Sequence, residues 1–270
     1  MSESSAISWT NSSWNPVTGC TKVSAGCTHC YAERFAERWR GIPGHAYEQG
    51  FDLKLWPERL QLPLRWRAPR MVFVNSMSDL FHEKVPEEYI REVFAVMKQA
   101  NRHTFQVLTK RSARMRELAD SLEWPTNVWL GVTIESEDYA TRADDLRQVP
   151  AAVRFISAEP LLGPLDSLDL VGIDWLIVGG ESGPGRRRMR PEWATRLRDN
   201  CREAQVAFYF KQWGGSRPAH EPPALDGEIW LEMPTGVRSG SEDECLTGTY
   251  RAADQARGRP RSVALPLPLA

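Results

Sequence analysis

Apolar residues gather in six short runs, 71–75, 104–109, 128–133, 153–158, 175–178 and 206–211, and each run ends in polar residues. Within a run the apolar side chains are nearly continuous and do not alternate with polar ones. That is the pattern of strands buried on both faces, as in a parallel sheet. Between the runs the spacing changes to that of helices. Ile90, Val93, Phe94 and Met97 fall at i, i+3, i+4 and i+7, after Pro86 near the start of the stripe. Met115, Leu118, Ala119 and Leu122 repeat it, Tyr139, Ala143 and Leu146 give a shorter version, and Trp193, Leu197, Cys201 and Ala204 form another after Pro191. A helix with Ala32, Phe35, Ala36 and Trp39 on one face is expected just after Cys30. Strands alternating with helices predict an α/β protein built from βαβ units, as an open sheet or a (β/α) barrel.

Composition narrows the class. The 34 Lys and Arg are matched by 35 Asp and Glu, a net charge of −1, which argues against a cationic body built to coat nucleic acid. The 41% hydrophobic and 26% charged residues argue against bulk disorder and against a coiled coil. No stretch approaches the ~20 apolar residues of a membrane-spanning helix. The first ten residues lack the basic and apolar segments of a secretory signal. A cytoplasmic globular protein with reduced thiols and no membrane partner is expected. Residues 235–270 are rich in Gly, Pro, Ser and charge, so a poorly ordered tail is expected there, with Cys245 unimportant.

Three of the five cysteines, Cys20, Cys27 and Cys30, lie within one short segment. In a reducing compartment such a cluster reads as metal or redox chemistry and not as a disulfide framework. Cys27-Thr28-His29-Cys30 places two thiols on one side of a tight turn, and the loop containing Gly26 lets Cys20 return as a third ligand. Three thiolates suit a [4Fe–4S] cluster that leaves one iron open. His29 would alternatively complete a Cys3His zinc site. Cys201 lies on the apolar stripe of its helix and reads as core.

Sites in such folds form at the carboxyl ends of the strands. The ends here carry Asn75, Ser76 and Asp79, then Lys110 and Arg111, Thr133 and Glu135, Glu159, Gly179-Gly180-Glu181, and Lys211, Gln212 and Trp213. Arg186, Arg187, Arg188 and Arg190 follow the glycine-rich turn. Guanidinium groups grip phosphate and aromatic rings stack bases. Lys110, Arg111, Arg186, Arg187, Lys211, Gln212 and Trp213 are therefore candidate contacts for a nucleotide or nucleic-acid substrate, although such basic runs also occur as solvated faces.

The strings NSSWNPVTGCTKVSAGCTHCYAERFAER, VFVNSMSDLFH, FQVLTKR, WLGVTIE, RFISAEPLLGPL, DWLIVGGESGPGRR and FYFKQWGG span about residues 6–234. Together they resemble the radical S-adenosylmethionine superfamily, and within it a phage-associated branch of unknown function. The resemblance implies a partial, TIM-like (β/α) barrel of about six parallel strands over 1–234. It implies a [4Fe–4S] cluster on Cys20, Cys27 and Cys30, with S-adenosylmethionine on the open iron and an external electron donor as partner. The radical released would abstract hydrogen from a substrate that the sequence does not name, and no catalytic side chain is singled out.

Asn75, Ser76, Asp79, Thr133, Glu135, Glu159 and Glu181 become the candidate cofactor contacts. Two departures stand out. Six residues, in place of three, separate Cys20 from Cys27, and His29 holds a position that is usually apolar and aromatic. The Gly-Gly-Glu string also follows the fifth of the six runs, late in the chain, where the resemblance places it near the second strand, which ranks Asn75, Ser76 and Asp79 above Glu181. The other class of reading is a non-catalytic nucleic-acid-binding protein whose cysteine loop holds a structural metal.

Overall fold

A computed structural model describes Ser5 and residues 7–215 and 222–234. All six apolar runs are strands of one parallel seven-stranded sheet, a half-barrel in which every strand pairs with the next in chain order. The strands are β1 (Ser12–Trp14), β2 (Met71–Val74), β3 (Thr104–Thr109), β4 (Val128–Thr133), β5 (Val153–Ala158), β6 (Trp175–Gly179) and β7 (Ala207–Gln212). The helices among the described residues are α1 (Tyr31–Glu37), α2 (Leu62–Arg65), α3 (Glu87–Gln99), α4 (Ser112–Glu117), α5 (Arg142–Arg147) and α6 (Pro191–Ala204). The expected tail, 235–270, and Cys245 lie outside the described residues.

The near-continuous apolar runs have the cause inferred from them: each strand is covered on both faces. Val72, Val74, Phe105, Val107, Leu130, Val132, Ile156, Leu176, Val178, Phe208 and Phe210 join one buried core with Ile90, Val93, Phe94 and Met97 of α3 and Leu197 and Cys201 of α6. The alternate side chains form a second cluster on the opposite face, made of Trp9, Phe73, Trp129, Val153, Phe155, Trp175, Ile177 and Tyr209. Trp175 is its centre. It meets Trp9, Trp129 and Tyr209 edge-on, with centroids 6.2, 6.1 and 5.9 Å apart. Such pairs add about 0.5–1.5 kcal/mol each beyond the area they bury.

Gly131 makes room for this cluster. It sits beside Phe155 in the β4–β5 register, and a Cβ there would overlap the Phe155 ring. The aromatic residues fill the sheet's second face toward the strands' amino ends, so polar side chains are left for the carboxyl ends.

Two features differ from the expectation. The sheet has a seventh strand, β1, because Ser12 and Trp14 pair with Val72 and Val74 at the sheet edge. Thr10 Oγ1 donates to the Met71 carbonyl (2.9 Å), and the Met71 N–H donates to Asn11 Oδ1 (3.0 Å). These polar contacts replace an apolar run as the reason for pairing.

In α1, Ala32 and Ala36 are buried, but Phe35 and, two residues past the helix, Trp39 are exposed. The two alanines form the packed face of this short helix. The larger rings pair outside with Tyr47 (5.5 Å from Phe35) and His45 (4.1 Å from Trp39).

If the packed aromatic cluster carries the sheet, Gly131→Ala should cost about 1–3 kcal/mol, read as a lower urea midpoint at unchanged slope. Adding Phe155→Leu should return part of the loss. An unchanged midpoint in the single variant would contradict the packing described.

Candidate functional site

The cysteine loop is positioned by a strained start and by side chains from four strand ends. At Gly19 the backbone has φ +83°, and a Cβ would overlap the Asp52 carbonyl, so only glycine fits. Gly19 N–H donates to the Met77 carbonyl (3.0 Å) and Cys20 N–H to that of Phe51 (3.2 Å). Residues Ala25–Cys27 form one tight helical turn. Cys30 then immediately precedes α1, whose Tyr31 hydroxyl donates to the Ser76 carbonyl beyond β2 (2.5 Å).

Beyond β3, Arg111 is the hub. Its Nη1 donates toward Cys20 Sγ (3.5 Å) and Asp79 Oδ2 (3.2 Å), its Nη2 to Thr21 O (3.1 Å) and Oγ1 (2.9 Å), and its Nε to Glu83 Oε1 (3.0 Å). Asp79 also accepts from Thr109 Oγ1 (2.7 Å), Lys110 N–H (3.0 Å) and Phe81 N–H (3.0 Å). His82 is hydrogen-bonded to Thr21 Oγ1 at 2.9 Å.

Beyond β4, Glu135 is fully buried. It is paired with Arg142 Nη1 at 2.8 Å and accepts a short bond from Ser24 Oγ. A Cβ on Gly26 would overlap the same carboxylate. Tyr139 accepts the Ala25 N–H (3.0 Å). Beyond β6, Glu181 is paired with His29 Nδ1 (3.1 Å) and accepts from Arg187 N–H (2.7 Å) and Nε (3.0 Å).

These contacts set the charge states. Burial and the neighbouring Asp79 push the Cys20 thiol up to about 11, while Arg111 pulls it the other way. Burial alone would raise the Glu181 carboxyl, but the hydrogen bonds from Arg187 and His29 outweigh it and hold the group at about 2. Cys27 Sγ lies 3.6 Å from Ser24 Oγ. Cys20, Cys27 and Cys30 are all partly exposed free thiols. Among the described residues, no three His, Cys, Asp or Glu side chains are arranged to grip one metal ion.

The predicted site residues fall into two groups. Asp79, Glu135, Glu181, Arg111 and Arg187 are committed to one another and to the loop. Gln212 likewise ties the glycine-rich turn, donating to the Gly180 carbonyl (2.8 Å) and Ser182 Oγ (2.5 Å). Thr133 is buried, with its carbonyl on Arg142 (2.6 Å), and Ser76 Oγ donates to Asn15 Oδ1 (3.2 Å).

The second group is less committed. Glu159 pairs with Lys211 Nζ (2.7 Å) and accepts from Ser157 Oγ (3.2 Å). Lys110 Nζ stands 3.8 Å from Glu135. Asn75, at φ +59°, is buried with no partner for its Nδ2. Arg186 and Trp213 are exposed at the rim.

Sequence reasoning missed Ser24, His82 and Arg142. Ser24 and His82 act across 111 and 61 residues of chain, and Arg142, only seven residues from Glu135, sits on α5 and not at a strand end. Tyr139 has the spacing of a helical stripe, yet its hydroxyl holds the loop.

The depressed Glu181 carboxyl has a pH signature. Its contribution is fully present above the ordinary 4.5 and is lost as pH falls toward 2. Glu181→Gln should therefore be less stable than wild type at pH 6 and approach it in urea titrations as pH drops below 4.5. A gap that stays constant with pH would contradict the assignment.

No curated protein and no solved structure matches the chain. Among the described residues no helix is long and apolar enough to cross a membrane. The profile of the family described as Protein of unknown function (DUF5131) matches residues 4–234, and the chain belongs to that family.

Proposed function

We propose that the chain is a radical S-adenosylmethionine enzyme, with Cys20, Cys27 and Cys30 as the three ligands of a [4Fe–4S] cluster. The observation that carries this reading is the placement of the loop: three free thiols lie on a segment bonded to the carboxyl ends of β2, β3, β4 and β6. The donor set suits the cluster better than a single ion. It consists of soft thiols of one kind, and His29, the one imidazole between them, is turned to Glu181.

When bound, the cluster and S-adenosylmethionine would supply reductive sulfonium cleavage and, from it, a carbon radical that takes a hydrogen atom from substrate. The chain's own residues orient and tune. Arg111 donates toward Cys20 sulfur and so favours its thiolate. Ser24, whose hydroxyl proton goes to Glu135, stands 3.6 Å from Cys27 Sγ and so ties that end of the loop to the buried carboxylate. The buried Asn75 amide nitrogen is a donor without an acceptor, which suits a ligand carboxylate at this mouth. Glu159 and Lys211 form a charged pair on the strands nearest the glycine-rich turn and are the ionisable groups best placed for a ligand's polar atoms.

Anaerobic reconstitution with iron and sulfide tests the proposal. It predicts a brown protein with about four irons per chain that forms 5′-deoxyadenosine when reduced with S-adenosylmethionine. Cys20→Ala, Cys27→Ala and Cys30→Ala should each stay folded and lose that product. Tight zinc binding without iron uptake, together with unfolding of Cys20→Ala, would instead mark a structural metal site in a non-catalytic nucleic-acid-binding protein. A subtler variant probes the loop. Gly26→Ala should lower iron retention several-fold while leaving far-ultraviolet circular dichroism unchanged, since it displaces the loop from Glu135 alone.

A further inference from the structure

Beside the cysteine loop lies a cleft of about 660 Å³ lined by Arg186, Arg187, Arg188, Met189, Pro191, Trp213 and Gly214. Its size is that of a small-molecule site, and its lining is of two kinds. Arg187 is spent on Glu181. Arg186 and Arg188 are exposed, and neither makes a hydrogen bond or ion pair within the described residues. The fourteen-residue helix α6 begins at Pro191 on the same cleft, and its amino end adds partial positive charge.

Trp213 is the other element. Nine of the eleven tryptophans are wholly or partly buried; Trp39 and Trp213 are each 37% exposed, and of the two Trp39 already has its face stacked on His45. Its indole is also immobilised. Nε1 donates to the Ala224 carbonyl (3.0 Å), and the ring stands edge-on to Phe210 at 4.7 Å. An exposed ring held in one orientation is a platform for a planar partner. The turn that carries the arginines is shaped by Gly183 (φ +98°) and Gly185 (φ +73°), and a Cβ at Gly185 would stand 3.8 Å from His29 Nε2. The cleft therefore adjoins the segment between Cys27 and Cys30.

We propose that this cleft binds a phosphorylated nucleobase, with the phosphate on Arg186 and Arg188 at the start of α6 and the base against Trp213. The ligand is either a free nucleotide or one residue of a single-stranded polynucleotide; the chemistry is the same. Two guanidiniums select a multiply charged oxyanion, and the fixed indole selects a flat ring. A sugar phosphate or an acidic peptide uses only the first. Calling this ligand the substrate rests on the enzyme reading above, but its binding does not.

The test is equilibrium binding of a fluorescently labelled mononucleotide and of a labelled short single-stranded oligonucleotide to the full chain, before and after anaerobic reconstitution. The expected result is saturable binding of at least one probe, with or without iron, that Trp213→Ala weakens about tenfold, the scale of one stacked base. The double substitution Arg186→Ala with Arg188→Ala should weaken it at least as much. Lys98→Ala, on a remote face, should leave it unchanged. Mononucleotide binding identifies a free nucleotide, and oligonucleotide binding alone identifies a strand. Absence of binding by both probes, or binding indifferent to both sets of variants in protein that is folded by circular dichroism, overturns the proposal. Because iron is not needed, failure here leaves the cluster reading standing, and failure to take up iron leaves this site testable.

Discussion

The organisation of this molecule depends on the pairing of carboxylates that are buried at the end of a parallel half-barrel. Glu135 is wholly inaccessible and Asp79 nearly so. Removing one partner of such a buried pair typically costs about 3–5 kcal/mol, so their counter-charges are obligatory. The partners are Arg142 for Glu135 and Arg111 for Asp79. Each assembly also reaches the cysteine loop, Glu135 through Ser24 and Arg111 through Thr21 and Cys20. Satisfying the buried charges and positioning the thiols are thus the same act. A loop that left the mouth would strip hydrogen bonds from groups with no access to water.

The sheet divides its second face to make this possible. Toward the strands' amino ends the side chains are large and aromatic, packed around Trp175, with Gly131 as the gap that admits Phe155. Toward the carboxyl ends the same face carries Thr133, Ser157, Glu159 and Lys211. Close packing in the first part keeps the second rigid, and rigid support is what charged groups need to hold their geometry. The proposed cluster and cofactor sites lie at these carboxyl ends, and the proposed nucleobase cleft adjoins them at the start of α6, where Trp213 packs on Phe210 of the helix-covered core.

Legibility in the sequence follows range of interaction. The six long strands were readable because burial on both faces makes their apolar runs continuous. β1 was not, since its pairing rests on Thr10 and Asn11 reaching Met71 across some sixty residues. That the cysteine segment meets the polar strand ends was readable, and hydrogen bonds from the loop and α1 to the ends of β2, β3, β4 and β6 bear it out. Which of those ends are committed to one another was not. Lys110 and Arg111 look alike in sequence, yet Arg111 is an internal hub and Lys110 keeps a looser contact with Glu135. Arg186 and Arg187 are adjacent, and only the second is neutralised, by a glutamate whose position depends on the turn between them. Phe35 and Trp39 have helical spacing but stand outside the core, because spacing does not reveal how wide a packed face is.

The central claim is that the mouth holds a cluster with one iron left for an external ligand. Electron paramagnetic resonance of the anaerobically reconstituted, reduced chain addresses it most directly, with spectra recorded before and after addition of S-adenosylmethionine. The predicted result is a reduced [4Fe–4S] signal whose shape changes on addition, and no such signal in Cys20→Ala. A cluster signal indifferent to S-adenosylmethionine, or a wild-type chain that holds zinc and gives no signal, would contradict it.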